Sequence, residues 1–280
     1  MRSPALWAGL AALVAAALYY VLIGAASGVD SGEREASVAG VKGSQRVPSS
    51  SVERLRVRVI EEYAHDPSAY TQGLLWDDGW ILESTGQYGS SVVRKWRPGS
   101  TESRQTELAQ DLFGEGLARV GDRLIQLTWR AGRALLYDRH SLERVGEWEY
   151  QGEGWGLCFD GVRLAMSDGS STLTFRDPGT FAVVDRTEVQ LEGRSVGNLN
   201  ELECAEGWIY ANVYQTNEIV RIDPRSGEVT AIINAGGLLK PQERSNAEVL
   251  NGIAYDPESE SFLLTGKYWP KIFRVTLERE

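Results

Sequence analysis

In the stretch "DLFGEGLARVGDRLIQLTW" one carboxylate, Glu115, stands between two glycines at the entrance to an alternating apolar run. Glycines at a strand entrance signal a tight turn or a close approach of backbones. An ionisable group there occupies a place with little room. Comparable pairs recur along the chain: Gln72–Gly73, Trp155–Gly156, Asn200–Glu201 and Asn251–Gly252. Each precedes an aliphatic anchor (Leu74, Leu157, Leu202, Ile253), as Glu115–Gly116 precedes Leu117. A second recurring set follows each anchor: Glu83 and Ser84, Thr128 and Trp129, Ser167 and Asp168, Tyr214 and Gln215, Lys267 and Trp269. A carboxylate, amides, an ammonium and large aromatics suit two ends. Glu115 could pair with Lys267 or cap backbone N–H groups, which is structural. Alternatively, the set could wall a ligand pocket with a few convergent polar groups.

Those residues can meet only if the elements carrying them are arranged around a common point. From Tyr70 onward five segments share one pattern: "TQGLLWDDGWILEST", "GEGLARVGDRLIQLTW", "GWGLCFDGVRLAMSDG", "LNELECAEGWIYANVYQT" and "LNGIAYDPESESFLLTGKYW". Each has its anchor, a short turn rich in Gly, Asp or Glu, and an alternating strand; another turn and strand follow. The anchors recur at about 40–50 residues, the period of a propeller blade. No comparable helical period follows residue 55. The reading is an all-β fold, a five-bladed β-propeller over residues 55–280, preceded by an N-terminal hydrophobic helix and a flexible linker; the alternative is an irregular β-sandwich. In a propeller the first strand of each blade lines the central channel, so the five pre-anchor positions converge at one mouth.

The chain has 280 residues, a formal charge of −10, nine tryptophans and eleven tyrosines. That suits a folded domain with a sizeable core. The acidic balance and the lack of a Lys/Arg cluster exclude nucleic acid as the main partner, and an acidic cleft would concentrate a cationic ligand. The segment 1–27 is apolar over a length beyond the roughly 7–15 residues of a signal-peptide core and near the about 20 needed to span a membrane. It reads as a signal-anchor or a signal peptide. Residues 28–54, rich in Gly, Ser and charge, read as a linker. Either reading exports the folded domain, leaving it membrane-anchored on the periplasmic or extracellular side, or released if the segment is cleaved. Cys158 and Cys204 each follow an anchor leucine in consecutive repeats. Equivalent positions in neighbouring blades should not face each other, so two buried thiols and no bridge are expected. Of the two histidines, His65 in "HDPSAY" is expected to shape a turn, and His140 to lie in a surface turn.

The motifs "HDPSAYTQGL", "ESTGQYGSSVVRK", "LFGEGL", "LTWRAGRALLYD", "GEGWGLCFDG", "LNELECAEGWIYANVYQTNEIVRIDP" and "NGIAYDPESESFLLTGKYWPKIFRV" resemble the plant- and bacterial-type glutaminyl-peptide cyclotransferases over roughly residues 60–276. That resemblance implies a five-bladed propeller. It implies Glu115, Asn200 and Lys267 as catalytic residues, and Tyr70, Gln72, Trp129, Trp155 and Tyr214 as substrate-binding residues. Two positions depart from the family pattern: Tyr214 stands where tryptophan is common, and Tyr70 where phenylalanine is usual. Both remain aromatic.

The implied reaction converts an N-terminal glutaminyl residue of a peptide or protein to pyroglutamyl with release of ammonia. The α-amine must lose a proton, the tetrahedral oxyanion needs donors, and the leaving nitrogen must be protonated. Glu115 is the expected proton shuttle. Gln72, Asn200 and Lys267 are candidates for the polar contacts, with their roles undivided. No metal ligands with recognisable spacing appear; no metal or cofactor is expected, and the enzyme is expected to act as a monomer. Two other readings compete: an envelope-anchored propeller that binds peptides or proteins without turnover, and a propeller hydrolase with an axial calcium, which would want several carboxylates at the axis.

Overall fold

The computed structural model describes residues 51–280. The apolar segment 1–27 and nearly all of the linker 28–54 lie outside the described residues. Within them, no helix is long and apolar enough to cross a membrane.

The described chain is all-β, with one short 3-10 turn at Pro241–Glu243. Strand β1 spans Glu53–Ala64. A four-stranded antiparallel sheet follows in simple order: β2 (Thr71–Asp77), β3 (Trp80–Thr85), β4 (Val92–Trp96) and β5 (Ser103–Glu107). The next holds β6 (Gly114–Val120), β7 (Arg123–Thr128), β8 (Arg133–Asp138) and β9 (Arg144–Glu149). A third holds β10 (Leu157–Phe159), β11 (Leu164–Met166), β12 (Thr172–Arg176) and β13 (Val183–Glu188). After the small hairpin β14 (Gln190–Leu191) and β15 (Arg194–Ser195) come β16 (Leu199–Ala205), β17 (Trp208–Val213), β18 (Glu218–Ile222) and β19 (Val229–Asn234). Last are β20 (Leu250–Asp256), β21 (Ser261–Gly266) and β22 (Lys271–Arg279). These last two groups join into one eight-stranded sheet through β1, which runs parallel to β19 at Glu53–Arg56 and antiparallel to β22 from Leu55 to Ala64.

The strands form where the sequence alternates or is wholly apolar, and they end at turns of matching chemistry. Asp78–Gly79 and Glu206–Gly207 adopt paired left-handed conformations (φ 49° and 79°, 52° and 82°), the geometry that two-residue hairpin loops require. In the three four-stranded sheets the first strand is largely buried and the last largely exposed. β6 is buried over Gly114–Ala118, whereas β9 is largely exposed. The first strands adjoin one another in a ring, β2 beside β6, β6 beside β10, β10 beside β16, β16 beside β20, and β20 beside β2. Apolar side chains fill the gaps between successive sheets: Leu82, Leu117 and Leu135 in one; Ile125, Leu157 and Leu164 in the next; then Leu173, Leu202 and Val220. Tyr210, Ile253 and Phe262 form another, and Leu74, Ala254 and Ile272 complete the circuit.

The cysteines overturn the expectation of two free thiols. Cys158 and Cys204 form a disulfide, with Cα atoms 5.4 Å apart. The two positions are not equivalent. Cys158 follows Leu157 by one residue, whereas Cys204 follows Leu202 by two. Side chains alternate faces along a strand, so that offset turns Cys158 toward β16 and Cys204 back toward β10. Both contribute to the cluster between those sheets. Closing a 46-residue separation removes loop entropy from the unfolded chain worth about 4 kcal/mol. A Cys158→Ala/Cys204→Ala protein should unfold in urea with about that loss of stability. The unreduced wild type should take up no alkylating reagent, and two equivalents after reduction and unfolding.

Candidate active site

The four longest first strands share one irregularity. The pairing register shifts between Thr71 and Gly73, Gly114 and Leu117, Leu199 and Leu202, and Leu250 and Ile253. A bulge at this point breaks the ladder and re-aims a side chain. The residues inside the bulges are Gln72, Glu115, Asn200 and Asn251, the pre-anchor positions of the sequence. The adjoining glycines are there because nothing larger fits. A Cβ on Gly116 would lie 2.5 Å from the Leu157 nitrogen, and one on Gly156 would lie 2.1 Å from the Asn200 carbonyl oxygen. This answers why a carboxylate stands between glycines: the backbones must touch here, and the bulge sends the one side chain present out of the crowded wall.

Neighbouring sheets clamp the bulges. Ser84 Oγ donates to the Glu115 carbonyl, and Ser167 Oγ donates to the Asn200 carbonyl at 2.7 Å. The Gly116 N–H donates to the Trp155 carbonyl at 2.7 Å. Asn251 Nδ2 donates to the Thr71 carbonyl at 2.9 Å and to Gln72 Oε1 at 3.0 Å. That bond fixes which way the Gln72 amide faces, and its Nε2 donates to Glu115 Oε1 at 2.8 Å.

Tyr70, Gln72, Glu115, Trp129, Trp155, Asn200, Tyr214 and Lys267 line one cavity of about 310 Å³. The structure thus brings every candidate from the sequence to one place. Phe113 and Gln87 also line it, and sequence reading missed both. Phe113 had a signal. It stands two residues before Glu115, as Tyr70 stands two before Gln72. Gln87 had none, since its place depends on a left-handed loop backbone (φ 106°). Other members of the second recurring set point elsewhere. Trp269 packs in the apolar cluster beside Phe273 and donates Nε1–H to the Glu248 carbonyl at 2.9 Å.

The electrostatics are those of a site with little water. Burial pushes Glu115 well above the ordinary carboxylate range; Lys267 opposes this through its charge, Glu153 reinforces it, and the Gln72 hydrogen bond opposes it. Burial also lowers Lys267, with Glu115 and Glu248 acting against it. The Lys267 ammonium lies 4.4 Å from the Tyr70 ring centroid and 5.2 Å from that of Tyr214. Glu115 takes its direct hydrogen bond from Gln72. Asn200 Oδ1 is buried without a hydrogen-bond partner. Such an acceptor is costly unless something completes it, and in a cavity wall that something is a ligand N–H or O–H. Trp155 meets Tyr214 edge-on at 5.7 Å, and Trp129 lies 5.5 Å from Phe113. Among the described residues, no group of three or more His, Cys, Asp or Glu side chains is arranged to hold a metal ion.

His65 corrects a second expectation. It is buried and shapes no turn: Asp66 does that, its carboxylate accepting from the Ser68 N–H and hydroxyl. His65 Nδ1 donates to the Trp269 carbonyl at 2.7 Å, and Nε2 lies 3.0 Å from Glu83 Oε1. Thr71 Oγ1 donates to the same oxygen at 2.6 Å, and Arg94 Nε donates to Glu83 Oε2 at 2.7 Å. This knot ties the strand that carries Gln72 to the segment that carries Lys267. His140, by contrast, is exposed in the turn after β8.

A family model described as glutamine cyclotransferase matches residues 34–277. A glutaminyl-peptide cyclotransferase of Arabidopsis thaliana is 41% identical over 231 residues, covering 80% of this chain and 72% of the relative. The crystal structure of Myxococcus xanthus glutaminyl cyclase superimposes with a TM-score of 0.74 at 38% identity, covering 82% of this chain and all of that one.

The knot at Glu83 carries a pH dependence. Burial alone would raise Glu83, but His65 and then Arg94 outweigh it and hold the carboxyl down to about 2, against an ordinary 4.5. A depressed carboxyl stabilises the fold above its unfolded value and loses that contribution as pH falls through the folded one. Chemical denaturation should therefore show about 3 kcal/mol lost between pH 4.5 and pH 2. Glu83→Gln should flatten that slope and, by leaving Arg94 only its pair with Asp66 at 2.9 Å, cost up to about 3 kcal/mol near neutrality.

Proposed function

This chain belongs to the glutamine cyclotransferase family, and on that footing we propose how it acts: as a glutaminyl-peptide cyclotransferase that closes the N-terminal glutaminyl residue of peptides or proteins to pyroglutamyl and releases ammonia. The observation that carries the mechanism is a single buried carboxyl, Glu115, beside an unsatisfied acceptor on Asn200 and a cation on Lys267 in one aromatic cavity. The chain's sheets are read as five blades, the eight-stranded sheet supplying two of them, with the cavity at the channel mouth.

The α-amine nitrogen attacks the side-chain amide carbon. As the new C–N bond forms, the amine gives a proton to Glu115 and the carbonyl oxygen becomes an oxyanion. The oxyanion then collapses, the bond to the side-chain nitrogen breaks, and Glu115 returns the proton so that ammonia leaves. One proton moves twice and none is left over. The amine attacks in its neutral form, which its reference pKa of about 7.7–8.0 makes accessible near neutrality. Burial raises Glu115, which favours its holding the proton taken from the attacking nitrogen until the leaving nitrogen receives it.

The other residues divide the remaining tasks. The Asn200 Oδ1 accepts from the attacking amine, which holds its lone pair toward the carbon. The Lys267 ammonium faces the developing oxyanion. Gln72 holds Glu115 in place, itself fixed by Asn251. Trp129, Trp155, Tyr214, Tyr70 and Phe113 hold the folded-back side chain, which favours ring closure over the extended form. Every step runs on protein groups and protons, so the reading is a metal-independent transferase. The apolar segment 1–27 supports export of the domain, and the disulfide suits an oxidising compartment.

Incubating the domain with a Gln-initiated dipeptide should release ammonia, and Glu115→Gln should reduce kcat by roughly 10²–10⁴-fold while the fold is retained. Folded wild-type protein that binds such peptides without releasing ammonia would replace the cyclase with a peptide-binding propeller. An infrared titration should show the Glu115 carboxyl still protonated well above the ordinary carboxylate range. Lys267→Met should move that titration to still higher pH, because the ammonium is what pulls it down.

A further inference from the structure

Glu153 lies in the loop between β9 and β10, outside the candidates that the sequence supplied. One of its oxygens, Oε2, accepts the indole N–H of Trp129 at 2.8 Å and that of Trp155 at 3.1 Å. The other, Oε1, accepts from Arg130 Nε at 2.9 Å. The Arg130 guanidinium in turn lies 3.8 Å from the centroid of the Trp129 ring. The loop itself is tied down, since the Gly154 N–H donates to the Trp129 carbonyl at 3.0 Å. Trp129 follows β7 and Trp155 precedes β10, so the two indoles belong to different sheets. Glu153 is the group that joins them.

We propose that Glu153 is a positioning residue that locks the two tryptophan walls of the cavity in a fixed mutual geometry through one shared carboxylate oxygen. An indole has one donor and no acceptor, so its single N–H bond is the one directional contact that, beside the ring contacts with Phe113 and Tyr214, fixes how the ring stands. Without it, each ring can turn about its side-chain torsions into the cavity or away from it. The carboxylate's charge has a second effect. Burial is the main cause of the high Glu115 value, and the Glu153 charge adds to it. Stability is a poor explanation for the arrangement. The Glu153 and Arg130 side chains are 37% and 60% exposed, and pairs exposed to that degree contribute little. A carboxylate that does little for the fold but takes both indole protons belongs to the geometry of the pocket. This inference rests on the cyclase reading for its kinetic arm, and its spectroscopic arm stands apart from it.

Two substitutions separate the two effects. Glu153→Gln keeps an oxygen that can accept both indole N–H groups but removes the charge. Glu153→Leu removes both. In a ¹H–¹⁵N spectrum, the indole signals of Trp129 and Trp155, assigned by Trp129→Phe and Trp155→Phe, should shift together in Glu153→Leu, with the other tryptophans unmoved. In Glu153→Gln they should stay near their wild-type positions. With a Gln-initiated dipeptide, Glu153→Leu should raise KM about tenfold or more, and Glu153→Gln should stay within about threefold. The infrared titration of Glu115 should move to lower pH in both. Wild-type indole signals in Glu153→Leu, or KM raised equally by both variants, would overturn the positioning role. If Glu153→Leu does not fold, Glu153→Gln decides alone: preserved indole signals with a lowered Glu115 titration uphold the proposal, and displaced signals overturn it. Absence of turnover by the wild type would count against the cyclase reading and leave the spectroscopic result to decide this one.

Discussion

At the centre of this protein the backbones of adjacent first strands must touch. A methyl group on Gly116 or Gly156 would fall within 2.5 Å of the neighbouring strand's backbone, so the position admits only glycine. Strands that close together cannot also keep regular side-chain alternation through the contact. The bulges at Gln72, Glu115, Asn200 and Asn251 take up the mismatch. Those at Gln72, Glu115 and Asn200 each turn one polar side chain into the cavity, and Asn251 holds the Gln72 amide behind them. The chemistry of the cavity follows from this crowding: the residues free to face inward are those that the wall cannot accommodate.

The same constraint explains why the polar groups there are buried on a backbone that is held in place. Serine hydroxyls and backbone N–H groups of neighbouring sheets hold the bulge carbonyls. The side chains then make few bonds among themselves. One carboxyl oxygen of Glu115 is engaged by Gln72, and the Asn200 oxygen is left without a partner. A rigid frame with incomplete polar groups is preorganised for a ligand. The deeper carboxylates behave differently. Glu201 accepts from the Leu74 and Ile253 N–H groups at 3.2 and 2.8 Å. It ties β16 to β2 and β20, first strands that are not hydrogen-bonded neighbours in any sheet, and its burial raises it well above the usual carboxylate range.

Much of this was legible in the sequence, for an identifiable reason. The repeat places Gln72, Glu115, Trp155, Asn200 and Asn251 in register, and a ring makes register equivalent to proximity. The family motifs then marked Tyr70, Trp129, Tyr214 and Lys267. What failed was anything that depends on a single-residue offset or on contact between distant loops. Cys158 and Cys204 look equivalent until their distance from the anchor is counted, and one residue reverses the face. His65 sits in a turn-like string, yet its partners Glu83 and Trp269 lie 18 and 204 residues away. Glu153 reads as one more charge in a Gly-rich loop, because nothing local shows that two indoles converge on it. The role of β1 was also invisible. Its "RLRVRVIEEY" has the pattern of an ordinary edge strand, and only the ring shows that it lies between β19 and β22.

That placement of β1 has a consequence for how the molecule is made. The first strand of the domain to be synthesised finds its partners in β19 and β22, and its longest pairing is with the final strand. Every other strand pairs with at least one of its neighbours in sequence and can do so as soon as both exist. β1 must wait for about the whole domain, and its pairing closes the longest loop in the chain, an entropic cost that local hairpins do not meet. The ring is therefore an open arc with two unsatisfied edges throughout translation, and becomes a closed body only when Arg279 has emerged.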